Sequence, residues 1–159
     1  MAIEKVKEYF NQFGLTDRIK EFPVSSATVE LASIALNCEP ARIAKSLSFW
    51  IDDKPTIIVM AGDVKVDNHK FKNTFQVKAK MLGYDEASEL IGHSIGGICP
   101  FAVNPNVNVY LDESLKRFES VFPACGSSNS AIELSISELE KYSNYIAWVD
   151  VCKQKEINL

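Results

Sequence analysis

Two apolar runs, residues 46–51 and 56–60, flank the polar stretch Asp52-Asp53-Lys54. Short runs rich in Ile, Val, Phe and Trp, broken by a turn signal, read as a β-hairpin, here with a three- to four-residue connection. The first strand is expected to be largely buried, so the rest of the chain must supply cover for it. That cover comes in a particular order. Further strand-like runs lie at residues 19–24, 107–111, 120–124, 131–136 and 145–151, and the helical patterns between them are short. There is no regular alternation of strand and helix. The pattern predicts an α+β domain with a mixed sheet that can close into a barrel.

The helical segments have identifiable starts and stops. Ile3, Val6, Phe10 and Phe13 follow helical spacing and Gly14 ends the run. Ser25 and Ser26 offer N-caps for a second helix over residues 27–36. Its apolar positions Val29, Ala32, Ile34 and Leu36 are crowded rather than striped, so a buried helix is expected. Pro40 suits the opening of a helical turn through Ile43. Residues 67–75 read as a lysine-bearing helix, residues 86–91 as a helix stopped by Gly92, and residues 137–142 as a helix capped by Ser137. A single domain is expected over residues 1–152, with residues 153–159 as a flexible tail.

The 159 residues carry a net charge of −4. An acidic chain is poorly suited to coating nucleic acid, which rests on many phosphate contacts, and no DNA partner is expected. One stretch runs against this balance: residues 63–80 have a local charge of +3, with Lys65, Lys70, Lys72, Lys78 and Lys80 against Asp63 and Asp67. The longest apolar run, residues 57–61, is far too short to span a bilayer, so no membrane partner is expected. Cys38, Cys99, Cys125 and Cys152 are scattered, with neither CxxC nor zinc-ligand spacing. Free thiols in a reducing cytoplasm are the simplest reading. No metal site and no cofactor is expected.

Three stretches, in this order and spacing, carry a resemblance. They are Ala27-Thr28-Val29-Glu30 leading to Ile43-Ala44-Lys45-Ser46-Leu47; Ala61-Gly62-Asp63 followed by Val66-Asp67; and Gly92-His93-Ser94-Ile95-Gly96-Gly97-Ile98-Cys99-Pro100-Phe101. Ala124-Cys125-Gly126-Ser127 and Ile132-Glu133-Leu134 add to it. Together they resemble the YbaK/ProX family of aminoacyl-tRNA editing domains along nearly the whole chain. The resemblance implies a mixed, largely antiparallel sheet curled into a barrel with flanking helices. It also implies a hydrolase that cleaves the ester of a mischarged tRNA, usually one for proline, with prolyl-tRNA synthetase as a further partner. The alternative is a non-catalytic module that holds aminoacyl-tRNA or a synthetase.

The family's two marks, a lysine and a GxxxP loop, map onto Lys45 and onto Gly96 with Pro100. Read by pattern alone, Lys45 is a lysine snorkelling at a strand edge and residues 96–100 are a turn. Read with the resemblance, the ammonium anchors a phosphate or an oxyanion. Gly96 and Gly97 let backbone approach the substrate, and Pro100 stiffens the loop. Ile98 and Cys99 then shape the pocket. Gly62 and Asp63 are a candidate pocket wall, although they also read as a turn ending a strand. Asp63 could act as general base, yet no clear base emerges, and the resemblance implies the substrate's own 2′-hydroxyl or a bound water in its place. Ser127 and Asn129 are candidates to hold the aminoacyl group or terminal adenosine, although family members often carry a basic residue near there and this chain has none. Cys99 with His93 as base is a rival nucleophile. Lys70 and Lys72 are the candidate contacts to the tRNA acceptor stem. Phe71 and Phe101 are more suited to the core than to base stacking. Which amino acid is removed is not encoded in any of these features.

Overall fold

The computed structural model describes residues 2–155. Helix α1 (Ala2–Asn11) is followed by strand β1 (Lys20–Glu21), helix α2 (Val29–Leu36), strands β2 (Ile43–Ile51), β3 (Lys54–Ala61) and β4 (Val64–Val66), and helix α3 (Asn68–Phe75). Then come α4 (Tyr84–Glu86), continuing into a π-helical turn (Ala87–Ile91), and strands β5 (Asn108–Asp112), β6 (Ser120–Pro123), β7 (Ser130–Ala131) and β8 (Leu134–Ser135). Helix α5 (Ile136–Ser143) and strands β9 (Ala147–Val149) and β10 (Cys152–Gln154) complete the order.

Six strands form a curled mixed sheet in the order β8-β6-β2-β3-β5-β9. The α+β class and the mixed sheet agree with the expectation. The curl is a half-barrel: β8 and β9 are its two edges and do not pair with each other. The longest ladder, β2 with β3, is antiparallel, whereas β2–β6, β3–β5 and β5–β9 are parallel. Parallel strands are normally covered on both faces, and residues 57–61 are accordingly sealed from solvent.

The hairpin is tighter than the sequence suggests. Ile51 pairs directly with Lys54, leaving only Asp52 and Asp53 as the loop, at φ 50° and 62°. Two left-handed residues give the twist that a two-residue hairpin needs, and Asp tolerates that region better than most side chains.

Several boundaries move. The expected strand over residues 19–24 is only β1. The expected strand over residues 131–136 is broken into β7 and β8. Helix α2 starts later than expected: Thr28 caps it, with Oγ1 accepting from the Leu31 N–H at 3.2 Å. It is not buried either, since Ile34 is 77% exposed and only Ala32 and Ser33 are well covered. The cap of α5 is Ser135 rather than Ser137, closed reciprocally by Glu138. Lys153 and Gln154, expected in a flexible tail, lie in β10 paired antiparallel to β4. Residues 156–159 of that tail lie outside the described residues.

The main core runs between the sheet and α1, α3, α5 and the turn before Gly92. Phe10 and Phe101 meet edge to face at 4.8 Å, and Phe71 packs on Phe49 at 5.2 Å. Both Phe71 and Phe101 are therefore structural.

Candidate active site

A cleft of about 340 Å³ opens beside β2. Lys45 to Ser48 run along it, and Gly96 and Ile98 line it from the GxxxP loop. The segment leading into α2 and its first two residues (Ser26 to Glu30), Met81, Ala124 and Ser130 also line it. Distant segments thus meet at one place, and Lys45 and Gly96 share it.

Lys45 lies within β2 rather than before it. The strand alternates its hydrogen-bonding direction. Trp50 N–H donates to Lys80 O at 2.8 Å and Ser48 O accepts from Leu82 N–H at 3.1 Å, both away from β3. By that parity Lys45 bonds to β3, opposite Met60. Its side chain is half-buried and donates to the Val64 carbonyl at the start of β4. Burial disfavours the ammonium and brings the Lys45 pKa down to about 8, with the positive charge of Lys155 pushing the same way. A fixed, half-desolvated ammonium beside an apolar cleft is suited to receiving an anion.

The loop glycines differ in kind. Gly96 has φ +103°, a region that side chains resist, and a Cβ there would sit 3.4 Å from Ala27 Cβ. Gly97 is buried, and a Cβ on it would lie 2.7 Å from Ser127 N. It packs the loop against the turn at Gly126. Pro100 is buried and does not line the cleft.

Four other expected site residues lie outside the lining of this cleft. Gly62 is not a pocket wall: a Cβ there would meet Pro40 O at 2.1 Å and Val29 Cγ1 at 2.8 Å, so glycine is needed for chain packing. Asp63 is gripped by Arg117, whose guanidinium makes two hydrogen bonds to the carboxylate. That pairing lowers the Asp63 pKa, which suits an ion pair rather than a base. Ser127 and Asn129 are held by each other, by Ser130 and by Phe22 O. They pin β7 against β1 and do not line the cleft.

Cys99 faces the core. It is fully buried, and desolvation pushes its thiol up to about 12. His93 does approach it, with Nε2 3.5 Å from Sγ, but the same Nε2 is 2.7 Å from Phe101 O. A carbonyl only accepts, so that nitrogen carries a proton and has no lone pair for a thiol. Burial lowers the His93 pKa. The Cys–His nucleophile is therefore not assembled.

Of the two candidate acceptor-stem lysines, Lys70 is engaged by Asp150 at 3.0 Å and Cys152 O at 2.9 Å, whereas Lys72 is exposed. Neither lines the cleft.

Sequence reasoning missed Lys155, Glu30 and Ser46. Lys155 reaches the cleft because its N–H donates to Asp63 O, just beyond β10. Glu30 is exposed on the first turn of α2 and is the sole carboxylate among the described residues lining the cleft. Ser46 stood next to a marked residue, but only strand parity could have turned attention to it. Among the described residues no group of His, Cys, Asp and Glu is gathered as a metal-ligand set, and no helix is long and apolar enough to cross a membrane.

Comparison with known proteins bears on this geometry. Residues 24–142 match a family model described as an aminoacyl-tRNA editing domain. The chain is 50% identical over 157 residues to the uncharacterized protein YwhH of Bacillus subtilis, covering 98% of this chain and 100% of that one. It is 26% identical over 102 residues to a proline–tRNA ligase of Bacillus cereus, covering 64% of this chain but only 18% of the ligase. Among solved structures, the hypothetical protein APE2540 superposes with a TM-score of 0.82 at 26% identity, covering 94% of this chain and 99% of that one. A proposed trans-editing enzyme for prolyl tRNA synthetase superposes with a TM-score of 0.84 at 24% identity, covering 98% of both chains, and shares the half-barrel fold.

Proposed function

The chain belongs to the family of aminoacyl-tRNA editing domains, and from that premise we propose that it is a trans-acting deacylase that hydrolyses the ester of a mischarged tRNA. The observation that carries this reading is the half-buried Lys45 ammonium facing a cleft it shares with Gly96. An ester carbonyl gathers negative charge as water attacks it, and a fixed cation in a partly desolvated cleft stabilises that charge without reorganising. Lys155, at the same cleft, adds a second positive charge suited to a terminal phosphate of the acceptor end.

Among the described residues no side-chain base stands beside Lys45, since Asp63 is committed to Arg117. The 2′-hydroxyl of the terminal adenosine, or a water it orients, would then move the proton, and the protein would contribute position and electrostatics. The tRNA is proposed to be tRNA(Pro), carrying cysteine, alanine or another small amino acid. Similarity to part of the proline–tRNA ligases supports this, as does the fold shared with the trans-editing structure. Prolyl-tRNA synthetase is the matching partner, and translation places the activity in the cytoplasm. Editing of this kind is needed because one methylene gives a synthetase only ~1–3 kcal/mol of discrimination.

A panel of mischarged tRNAs tests the proposal. Release of one small amino acid from tRNA(Pro), with Pro-tRNA(Pro) spared, is the expected result. Binding of aminoacyl-tRNA with no ester cleaved across the panel would make the chain a non-catalytic carrier module instead.

A further inference from the structure

We infer that Ser46 reads the main chain of the amino acid itself, through the N–H and C=O groups it presents on the uncovered edge of β2. The inference rests on the deacylase reading and deepens it.

Among the described residues, the outer edge of β2 is covered at both ends but not between them. At one end β6 pairs with it, Ile43 opposite Phe122 and Ala44 opposite Pro123. At the other end the segment around Met81 takes over. Leu82 N–H donates to Ser48 O at 3.1 Å, Trp50 N–H donates to Lys80 O at 2.8 Å, and Phe49 forms an isolated bridge with Met81. The two-residue hairpin makes Ile51 and Lys54 a hydrogen-bonded pair, so Lys45, Leu47, Phe49 and Ile51 bond inward to β3. The even-numbered residues bond outward. Ala44 meets β6, and Ser48 and Trp50 meet the Lys80–Leu82 stretch. Ser46 alone is left between the two covers.

The cleft occupies that gap. Its lining includes Phe122 and Ala124 from one cover, Met81 from the other, and Ser46 between them. It sits where the missing length of strand would run. The Ser46 hydroxyl is also buried without a hydrogen-bond partner among the described residues. Polar groups placed this way are normally satisfied.

A single strand residue with a free N–H and C=O on one side is the smallest unit of β-pairing. It matches the invariant part of an aminoacyl ester. The Ser46 carbonyl accepts from the α-ammonium, and the Ser46 N–H donates to the ester carbonyl. Such a pairing recognises an α-amino acid without reference to its side chain. Selection among side chains is left to Ala27, Ala124 and Ile98 around it. It also fixes the ester carbonyl one residue away from Lys45. Glu30 on the rim favours entry of a cationic ammonium.

The test pairs two substrates and one titration. Rates are measured for an aminoacyl-tRNA that the protein hydrolyses and for the same tRNA carrying the des-amino acid, for instance alanyl against propionyl. Each rate is divided by its spontaneous hydrolysis rate. At least a tenfold lower enhancement for the des-amino ester is expected. Equal enhancements overturn the inference and leave the deacylase reading standing. In parallel, 15N-labelled protein is titrated with an amide-linked, non-hydrolysable aminoacyl adenosine. The Ser46 amide resonance is expected to shift downfield. An unmoved Ser46 amide alongside shifted Gly96 and Ile98 amides overturns the inference. If no ester is cleaved, the deacylase reading falls, while the titration still decides what Ser46 does.

Discussion

Arg117 holds Asp63 by both carboxylate oxygens, Nη2 to Oδ1 at 2.6 Å and Nη1 to Oδ2 at 2.9 Å. The arrangement takes the acid whose charge reaches Lys45 out of proton transfer. It leaves that acid a source of negative charge, which favours the Lys45 ammonium. Asp63→Asn is therefore expected to retain hydrolysis near pH 7 within a few-fold. Its basic limb should move to lower pH, because the ammonium loses a supporting charge. A pH–rate profile of variant and parent checks this. A loss of two or more orders of magnitude at pH 7 would instead make Asp63 a base. Both side chains are substantially exposed, so the stability cost is expected to be only about 0.5–1 kcal/mol.

Lys45 itself should give the clearest titration. Its ammonium deprotonates near pH 8 in the folded protein. Deacylation that depends on the charge should fall as pH rises through that value, after correction for the faster spontaneous hydrolysis. Lys45→Arg keeps its charge throughout and should lose the basic limb, at whatever reduced rate its larger head permits. Lys45→Met should lose ~10²–10³-fold, the scale of removing one oxyanion-stabilising group. The linkage to stability runs the opposite way with pH. The unfolded lysine binds its proton up to about pH 10.5 and the folded one only to about 8. Folding stability attributable to this group should then rise between those two values.

Three glycines should rank by what a methyl group would strike. Gly62→Ala drives Cβ into the Pro40 carbonyl, Gly97→Ala into the backbone at Ser127, and Gly96→Ala meets nothing nearer than Ala27 Cβ at 3.4 Å but stays at a left-handed φ. Urea denaturation is expected to show losses in that order. Gly62→Ala should exceed about 3 kcal/mol, and Gly96→Ala should lie near 1–2 kcal/mol. Gly96→Val should also block hydrolysis, since its side chain would face the start of α2 across the cleft.

Cys99→Ala is expected to deacylate normally. The thiol is buried and its pKa is raised to about 12, so alkylating reagents should not label it in the native state. The variant should lose about 1–2 kcal/mol of stability from the vacated volume. A matched loss of kcat with intact folding would revive the nucleophile.

Lys72 is the better probe of the basic segment, because Lys70 is tied to β10 and its neighbours. Lys72→Glu should weaken tRNA binding and lower the salt slope of log Kd by about one to two units if the residue meets a phosphate. Lys70→Glu should show a loss of thermal stability as well.

The sequence was most legible where pattern and chemistry coincide. Helix α3 follows Asp67, which caps it by accepting from the N–H groups of His69 and Lys70, and the helix is expected there from the residues. Lys45 and Gly96 could be paired only through resemblance, because they meet across the gap between β6 and Met81, which no local pattern displays. Gly62, Asp63, Ser127 and Asn129 are hard to place from sequence for one shared reason. Turn-forming residues look alike whether they line a cavity or hold a chain crossing, and only the space beside them distinguishes the two. Helix α2 is a different case. Its apolar residues do not form one stripe, and crowding does not mean burial: Ile34 faces solvent. Lys155 carried no signal, since its relation to Lys45 depends on β10 returning to β4.

The Asp52-Asp53 turn has a reach that its length conceals. Alternation in a strand is a binary code, and the loop that starts the count sets every later digit. A two-residue loop assigns Lys45 to the inward set and Ser46 to the outward one. Inserting a single residue at the turn would, unless absorbed as a bulge, exchange the two sets all along β2. The chain would keep its composition, its apolar runs and both family marks. Yet it would present the Lys45 backbone to the cleft and turn its ammonium to the opposite face. The working order of the site is thus written several residues away, in the parity of a loop that touches nothing in it.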